Sequence, residues 1–200
     1  MAVQALRKGE SRDAETVVNN DAKVNAYDVA IDEECTKILA LRQPTASDLR
    51  LVLTVIKTTA DLERIGDETK RVARMAITAA GADHGRNLFG QIAHIGTQVR
   101  QMLHEALDAF ARMDVDAAIE VAHQDVDIDQ EYENVMRQSM TYMMEDPRAI
   151  PSVLDLIWAA RALERIGDRC CNISEYIIYF VKGKDVRYTS LDEIREEFGK

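Results

Sequence analysis

Proline and glycine are scarce in this 200-residue chain, at 3 and 9 copies. Helices can therefore run long, and an all-β architecture, which needs frequent turns, is excluded. Cysteine is sparse as well. Cys35, Cys170 and Cys171 make an odd count with one adjacent pair, which is not a disulfide framework, and they read as reduced thiols. Basic charge is in deficit: 25 Lys and Arg stand against 35 Asp and Glu, a net charge of −10. A surface that neutralises phosphate backbones is normally basic, so nucleic acid is not an expected partner. Long apolar runs are missing too. Tyr176–Val181 is far too short to span a bilayer, so no transmembrane segment is expected. The stretch Met1–Asp13 has no apolar core of the signal-peptide kind. Together these features give the expectation of a cytoplasmic chain. Glycine-rich phosphate loops and the GxSxG nucleophile motif are also absent, and no nucleophile–base pair stands out.

What is present is an ordinary globular composition, 46% hydrophobic and 30% charged, and a repeat. Leu62, Glu63, Arg64, Ile65, Gly66 and Asp67 recur unchanged 101 positions later as Leu163–Asp168, and Val52, Leu53 and Ile56 recur at the same offset as Val153, Leu154 and Ile157. Internal duplication decides architecture. Apolar residues at helical spacing precede each copy: Val17, Val24, Tyr27, Ile31, Ile38 and Leu41 in the first, and Ile119, Ala122, Val126, Tyr132, Val135, Met136, Met140 and Met143 in the second. Pro44 and Pro147 each stop a helix, and Ser47 and Ser152 read as N-caps of the helices that follow.

The coarse map predicts helices over about 13–41, 47–79, 91–113, 116–145 and 152–182. The fold class is all-α, an elongated bundle of two tandem three-helix units. The first unit, 1–80, is expected to lack most of its first helix, of which Met1–Lys8 is a stub. Residues 81–90 read as a linker, 91–183 as the second unit, and 184–200 as a charged tail in which Ser190 starts a short helix.

Acidic residues at helical spacing are the feature most suggestive of chemistry. Glu63 and Asp67 are four apart, as are Glu164 and Asp168, Asp125 and Asp129, and Asp21 and Asn25; such pairs share a helix face. Asp129 and Glu164 lie 18 and 17 residues from Pro147, and Asp125 and Asp168 lie 22 and 21. Asn25 and Glu63 each lie 19 residues from Pro44, and Asp21 and Asp67 each lie 23. Antiparallel arms rise equally, at about 1.5 Å per residue, so equal counts mean equal heights. Each unit then gathers four oxygen-bearing side chains at one level. Several carboxylates held together need countercharge, which hard divalent or ferric cations supply. Solvated helix faces paired with Arg64 and Arg165 are the alternative. A carboxylate-bridged metal enzyme would usually need His ligands, and Glu120-x-x-His123 occurs once; His84, His94 and His104 have no partner Glu. Cys170–Cys171 read as buried inert thiols, and Met143–Met144 as core packing.

Pro44–Arg50 followed by Asp61–Asp67, with Ala162–Glu175 as a second copy, resembles the PhoU family of phosphate-transport accessory and regulatory proteins. The resemblance covers nearly the whole chain. It implies multinuclear metal clusters, often iron, with zinc or other ions as alternatives. By motif match the ligands are Glu63, Asp67 and Asp21 in the first repeat and Glu164, Asp168, Asp125 and Asp129 in the second. It implies a non-enzymatic repressor of the phosphate-starvation regulon. Such a repressor links the ATP-binding subunit of the phosphate importer to a sensor histidine kinase and its response regulator, and is commonly a homodimer. Two departures weaken the first site: Asn25 stands where the family usually has Asp, and Arg71 stands where the second copy has the usual residue, Asn172.

Overall fold

The computed structural model describes residue 2, residues 11–79 and residues 86–199. Six α-helices occur among the described residues, with no strand: α1 (Ser11–Arg42), α2 (Ala46–Ala79), α3 (Arg86–Arg112), α4 (Val115–Glu145), α5 (Ile150–Lys182) and α6 (Leu191–Phe198). A 3-10 turn, Pro147–Ala149, leads into α5. The stub Met1–Lys8 lies outside the described residues apart from Ala2, and so does the first half of the expected linker. Its second half differs from expectation: α3 already begins at Arg86, and Gly90 is helical.

The bends follow local chemistry. Gln43 takes a left-handed conformation (φ 45°) just after α1 and before Pro44, a common way to end a helix. Met113, also left-handed, ends α3, and the Asp114 side chain accepts from the Ala117 amide at 3.1 Å, capping α4. Gly183, at φ 72°, closes α5 by donating its amide to the Tyr179 carbonyl at 2.9 Å. Neither predicted serine cap is one. Ser47 sits inside α2, which starts at Ala46, and Ser152 donates to the Ala149 carbonyl at 2.9 Å from within α5. The acceptor at that bend is Asp146, whose carboxylate takes the Arg148 amide. Pro147 sits in the first position of the 3-10 turn, where its missing N–H costs nothing. The tail does form its helix: Ser190 and Glu193 make a reciprocal capping box for α6. Ile194 of α6 is buried, and Arg195 reaches Glu120 of α4 at 3.7 Å.

Packing divides the chain into two compact units. One contains the described residues up to 21 with 65–101 and 126–167; the other contains 22–64, 102–125 and 168–199. The division cuts across the long helices, whereas the sequence repeats divide the chain along its length. Residues of an antiparallel hairpin touch according to their distance from the bend, so packing groups residues of both repeats. The first unit is built around Val72, Ile92, Ile95, Ile128, Val135, Val153 and Leu156, all fully buried; the second has Met102, Val121, Ile173, Ile177 and Val186. Burying one such side chain contributes about 1.5–3 kcal/mol.

Some expected core positions are exposed. Tyr27, Ile31 and Leu41 of α1 face solvent, as do Val126, Met140 and Met144 of α4, so Met143–Met144 is not simple core packing. In α1 the buried residues are Ala14, Asp21 and Cys35, seven or fourteen apart. That is a narrow seam, and it leaves most of the helix circumference in water.

Candidate functional site

In the first packing unit, Asp21 of α1 and Asp67 of α2 meet on one cation. Lys70 Nζ donates to Asp21 Oδ2 at 2.5 Å and to Asp67 Oδ1 at 2.6 Å. Lys70 lies one turn beyond Asp67 on α2, which aims its ammonium at the same level. Asp21 is 9% exposed, and its other oxygen, Oδ1, is buried with no hydrogen-bond partner. The hydrogen bonds to Asp21 and then Asp67 hold the Lys70 ammonium above its ordinary range, against a smaller opposing effect of burial. The equal residue counts about Pro44 thus do bring Asp21 and Asp67 to one height.

Glu164, in the same unit, is buried on α5 and forms an ion pair with Arg161 one turn earlier. The Arg161 guanidinium also lies over the Tyr132 ring of α4, 5.7 Å from its centre. Asp129 of α4 is exposed, so the counts that matched it to Glu164 place the two in unlike surroundings. Glu68 was not singled out by spacing. It is buried on α2 and accepts from Arg71 at 2.9 and 3.1 Å and from Arg165 of α5 at 3.3 Å.

The second packing unit holds a densely bonded carboxylate, Asp61, whose side chain is 1% exposed. It accepts from Arg64 at 3.2 Å, Arg169 at 3.4 Å, Asn172 at 3.3 Å and the Tyr176 hydroxyl at 2.9 Å. Burial, then the bond to Asp61, raises the Tyr176 hydroxyl well above its ordinary range. Lys57 sits 5.4 Å from the Tyr176 ring centre and 5.5 Å from that of Tyr179, and Arg50 donates to the Phe180 carbonyl at 3.4 Å. These bonds lock α2 to α5. The motif arginines Arg64 and Arg165 thus reach Asp61 and Glu68. Asp61 and Glu68 each carry an arginine three residues on, as Lys70 follows Asp67. Opposite charges three apart mark all three pairs; acid pairs four apart mark only Asp67 among these acids.

Asp125 and Asp168 of the second unit share a neighbour, Cys171. Its thiol is raised far above the ordinary range by burial first, then by the Asp125 charge and a hydrogen bond to Asp125, with Asp168 adding to the effect. Cys170 is fully buried and pushed up to about 12 by burial and by Asp125 and Asp61. Of the two thiols read from the sequence as buried, Cys170 is buried and Cys171 half-buried; a thiol held neutral is a poor nucleophile. Glu63 is half-buried and Asn25 exposed. Glu120 lies 3.7 Å from Arg195, both largely exposed.

Among the described residues, no group of three or more His, Cys, Asp or Glu side chains is arranged to hold a metal ion. In the first repeat the Asp21–Asp67 pair does not fit a metal ion as it stands, because the Lys70 ammonium occupies the space between the carboxylates. The second repeat places a neutral thiol beside its acids.

The PhoU domain model matches residues 1–76 and again 92–177, one match on each sequence repeat. The phosphate-specific transport system accessory protein PhoU of Escherichia coli is 50% identical over 193 residues, spanning 96% of this chain and 80% of that protein. The crystal structure of PhoU from Pseudomonas aeruginosa superposes with a TM-score of 0.88 at 51% identity, covering 92% of this chain and 88% of that one. PhoU from Streptococcus pneumoniae, the phosphate transport system regulatory protein, gives 0.85 at 30% identity, covering 92% and 86%. With an all-helical fold, a duplicated motif matched copy by copy and half the residues shared along nearly the whole length, the chain belongs to the PhoU family.

Proposed function

We propose that this protein is a cytoplasmic negative regulator of phosphate uptake and of the phosphate-starvation two-component pathway. It acts by binding rather than by turnover, as an adaptor between the ATP-binding subunit of the phosphate importer and the sensor histidine kinase, and it works as a homodimer. The observation that carries this proposal is the 50% identity to the E. coli accessory protein across both repeats. Supporting an adaptor role is exposed apolar surface in the first packing unit: Ile150, Leu154 and Trp158 lie four apart on α5, and Met140 and Met144 four apart on α4. Exposed apolar residues grouped in this way favour protein association. No described helix is long and apolar enough to cross a membrane, so membrane proximity would come through the importer.

Metal binding forms part of the proposal for the second repeat only. Asp125, Asp129, Glu164 and Asp168 are its candidate ligands by motif, with iron the expected metal and zinc the alternative. Elemental analysis of protein purified without chelator tests that part. The regulatory role is tested by complementation. A strain lacking its own family member, grown in excess phosphate, should express a phosphate-starvation reporter, and this chain should restore repression and co-purify with the importer ATPase and the kinase. Unchanged reporter expression with the chain present would refute the regulatory role.

A further inference from the structure

We propose that Lys70 is the resident cation of the first repeat: its ammonium stands between Asp21 and Asp67 in place of a metal ion, so this repeat holds its acid pair together without metal. The geometry is direct. One nitrogen bonds two carboxylates on two different helices, at 2.5 and 2.6 Å. Burial makes a countercharge necessary, since Asp21 is 91% removed from solvent and an unpaired carboxylate there would take up a proton. The ammonium is an imperfect occupant: it bonds one Asp21 oxygen and leaves Oδ1 unpartnered.

Comparison of the two repeats gives a second, independent line. The offset of 101 maps Lys70 onto Cys171. Each of the two answers to an aspartate of the preceding long helix: Lys70 bonds Asp21 of α1, and the Asp125 carboxylate of α4 helps to hold the Cys171 thiol neutral. The same place in the motif thus carries a positive charge in the first repeat and a neutral thiol in the second. Arg71, which matches Asn172, adds a cation to the first repeat that Glu68 takes up, and Asn25 removes an anion. Lys70 and Asn25 lower the demand for an external cation in the first repeat, whereas Arg71 is balanced by Glu68. Duplicated halves have diverged into one that closes on itself and one that does not.

The test uses the full chain with Lys70→Met, which keeps the aliphatic stem and removes the charge, and Lys70→Arg, which keeps the charge. The melting temperature is measured in chelator and in millimolar Mn2+, and bound manganese is counted after desalting. Reading each variant against the wild type cancels any contribution from the second repeat. The Mn2+-induced rise for Lys70→Met should exceed that of the wild type by about 3 °C or more, with about one further ion per chain; Lys70→Arg should match the wild type. Equal shifts and equal manganese in Lys70→Met and wild type would overturn the proposal. So would a Lys70→Met chain that is unfolded with and without Mn2+, because a metal ion could then not replace the ammonium. Neither result depends on the regulatory role.

Discussion

At the scale of single residues, electrostatics is organised around the buried acids Asp21, Asp61, Glu68 and Glu164. Asp61 has the most to lose. Asp61→Asn keeps the shape but leaves Arg64 and Arg169 facing a neutral amide, and it should destabilise the protein by about 3 kcal/mol, read as a fall in urea midpoint with unchanged slope. A loss under about 0.5 kcal/mol would mean that the arginines find water equally good partners. Lys70 gives a pH signature. Its folded-state pKa is raised by Asp21 and Asp67, so the stabilisation from pairing is fully present below its unfolded value, about 10.5, and fades as pH rises through the folded value. The stability gap between wild type and Lys70→Met in chelator should be flat from neutral pH to about 10 and narrow above that. The thiols offer a third check. Burial raises Cys35, Cys170 and Cys171 alike, with Asp32 and Glu34 adding to Cys35. Iodoacetamide at pH 8 should leave all three unmodified in the folded chain and alkylate all three in urea, as mass spectrometry will show.

At the scale of helices, much was legible before the structure, and the misses share a cause. Proline scarcity and apolar periodicity located α1 to α5 to within a few residues. The serine at each bend misled because proline chemistry took over. Pro147 begins a 3-10 turn capped by Asp146, so Ser152 lies inside α5 and bonds backward instead of capping forward. Tyr27, Ile31 and Leu41 carried the right period for α1 but lie in solvent, because periodicity reports a face and not what covers it. Equal counts from a bend succeeded for Asp21 and Asp67 and failed for Asp129 and Glu164, since a shared height leaves the rotation of each helix unspecified. Lys70, Asp61 and Glu68 are legible as members of opposite-charge pairs one turn apart, a pattern that the spacing of like charges does not contain. Gly183 tests the element scale directly. Its left-handed φ closes α5, and the Arg50 guanidinium lies 3.7 Å from where a Cβ would stand. Gly183→Ala should therefore cost about 1 kcal/mol through backbone strain, and amide exchange should rise first in the last turn of α5.

For the whole molecule, the relevant quantity is the net charge of −10. A strongly acidic surface speeds encounter with basic partner surfaces and contributes less to the lifetime of the complex once formed. In the proposed adaptor role the exposed apolar residues Ile150, Leu154 and Trp158 would act in the opposite sense, their burial against a partner slowing dissociation with little dependence on salt. The two contributions separate in a binding experiment with the purified importer ATPase. Raising NaCl from low to several hundred millimolar should cut the association rate by about tenfold while the dissociation rate changes little. Trp158→Ser should do the reverse, raising the dissociation rate at every salt concentration and leaving the salt dependence of association as it was. An association rate indifferent to salt would show that the acid excess plays no part in finding the partner. A dissociation rate indifferent to Trp158→Ser would remove this exposed face of α5 from the interface.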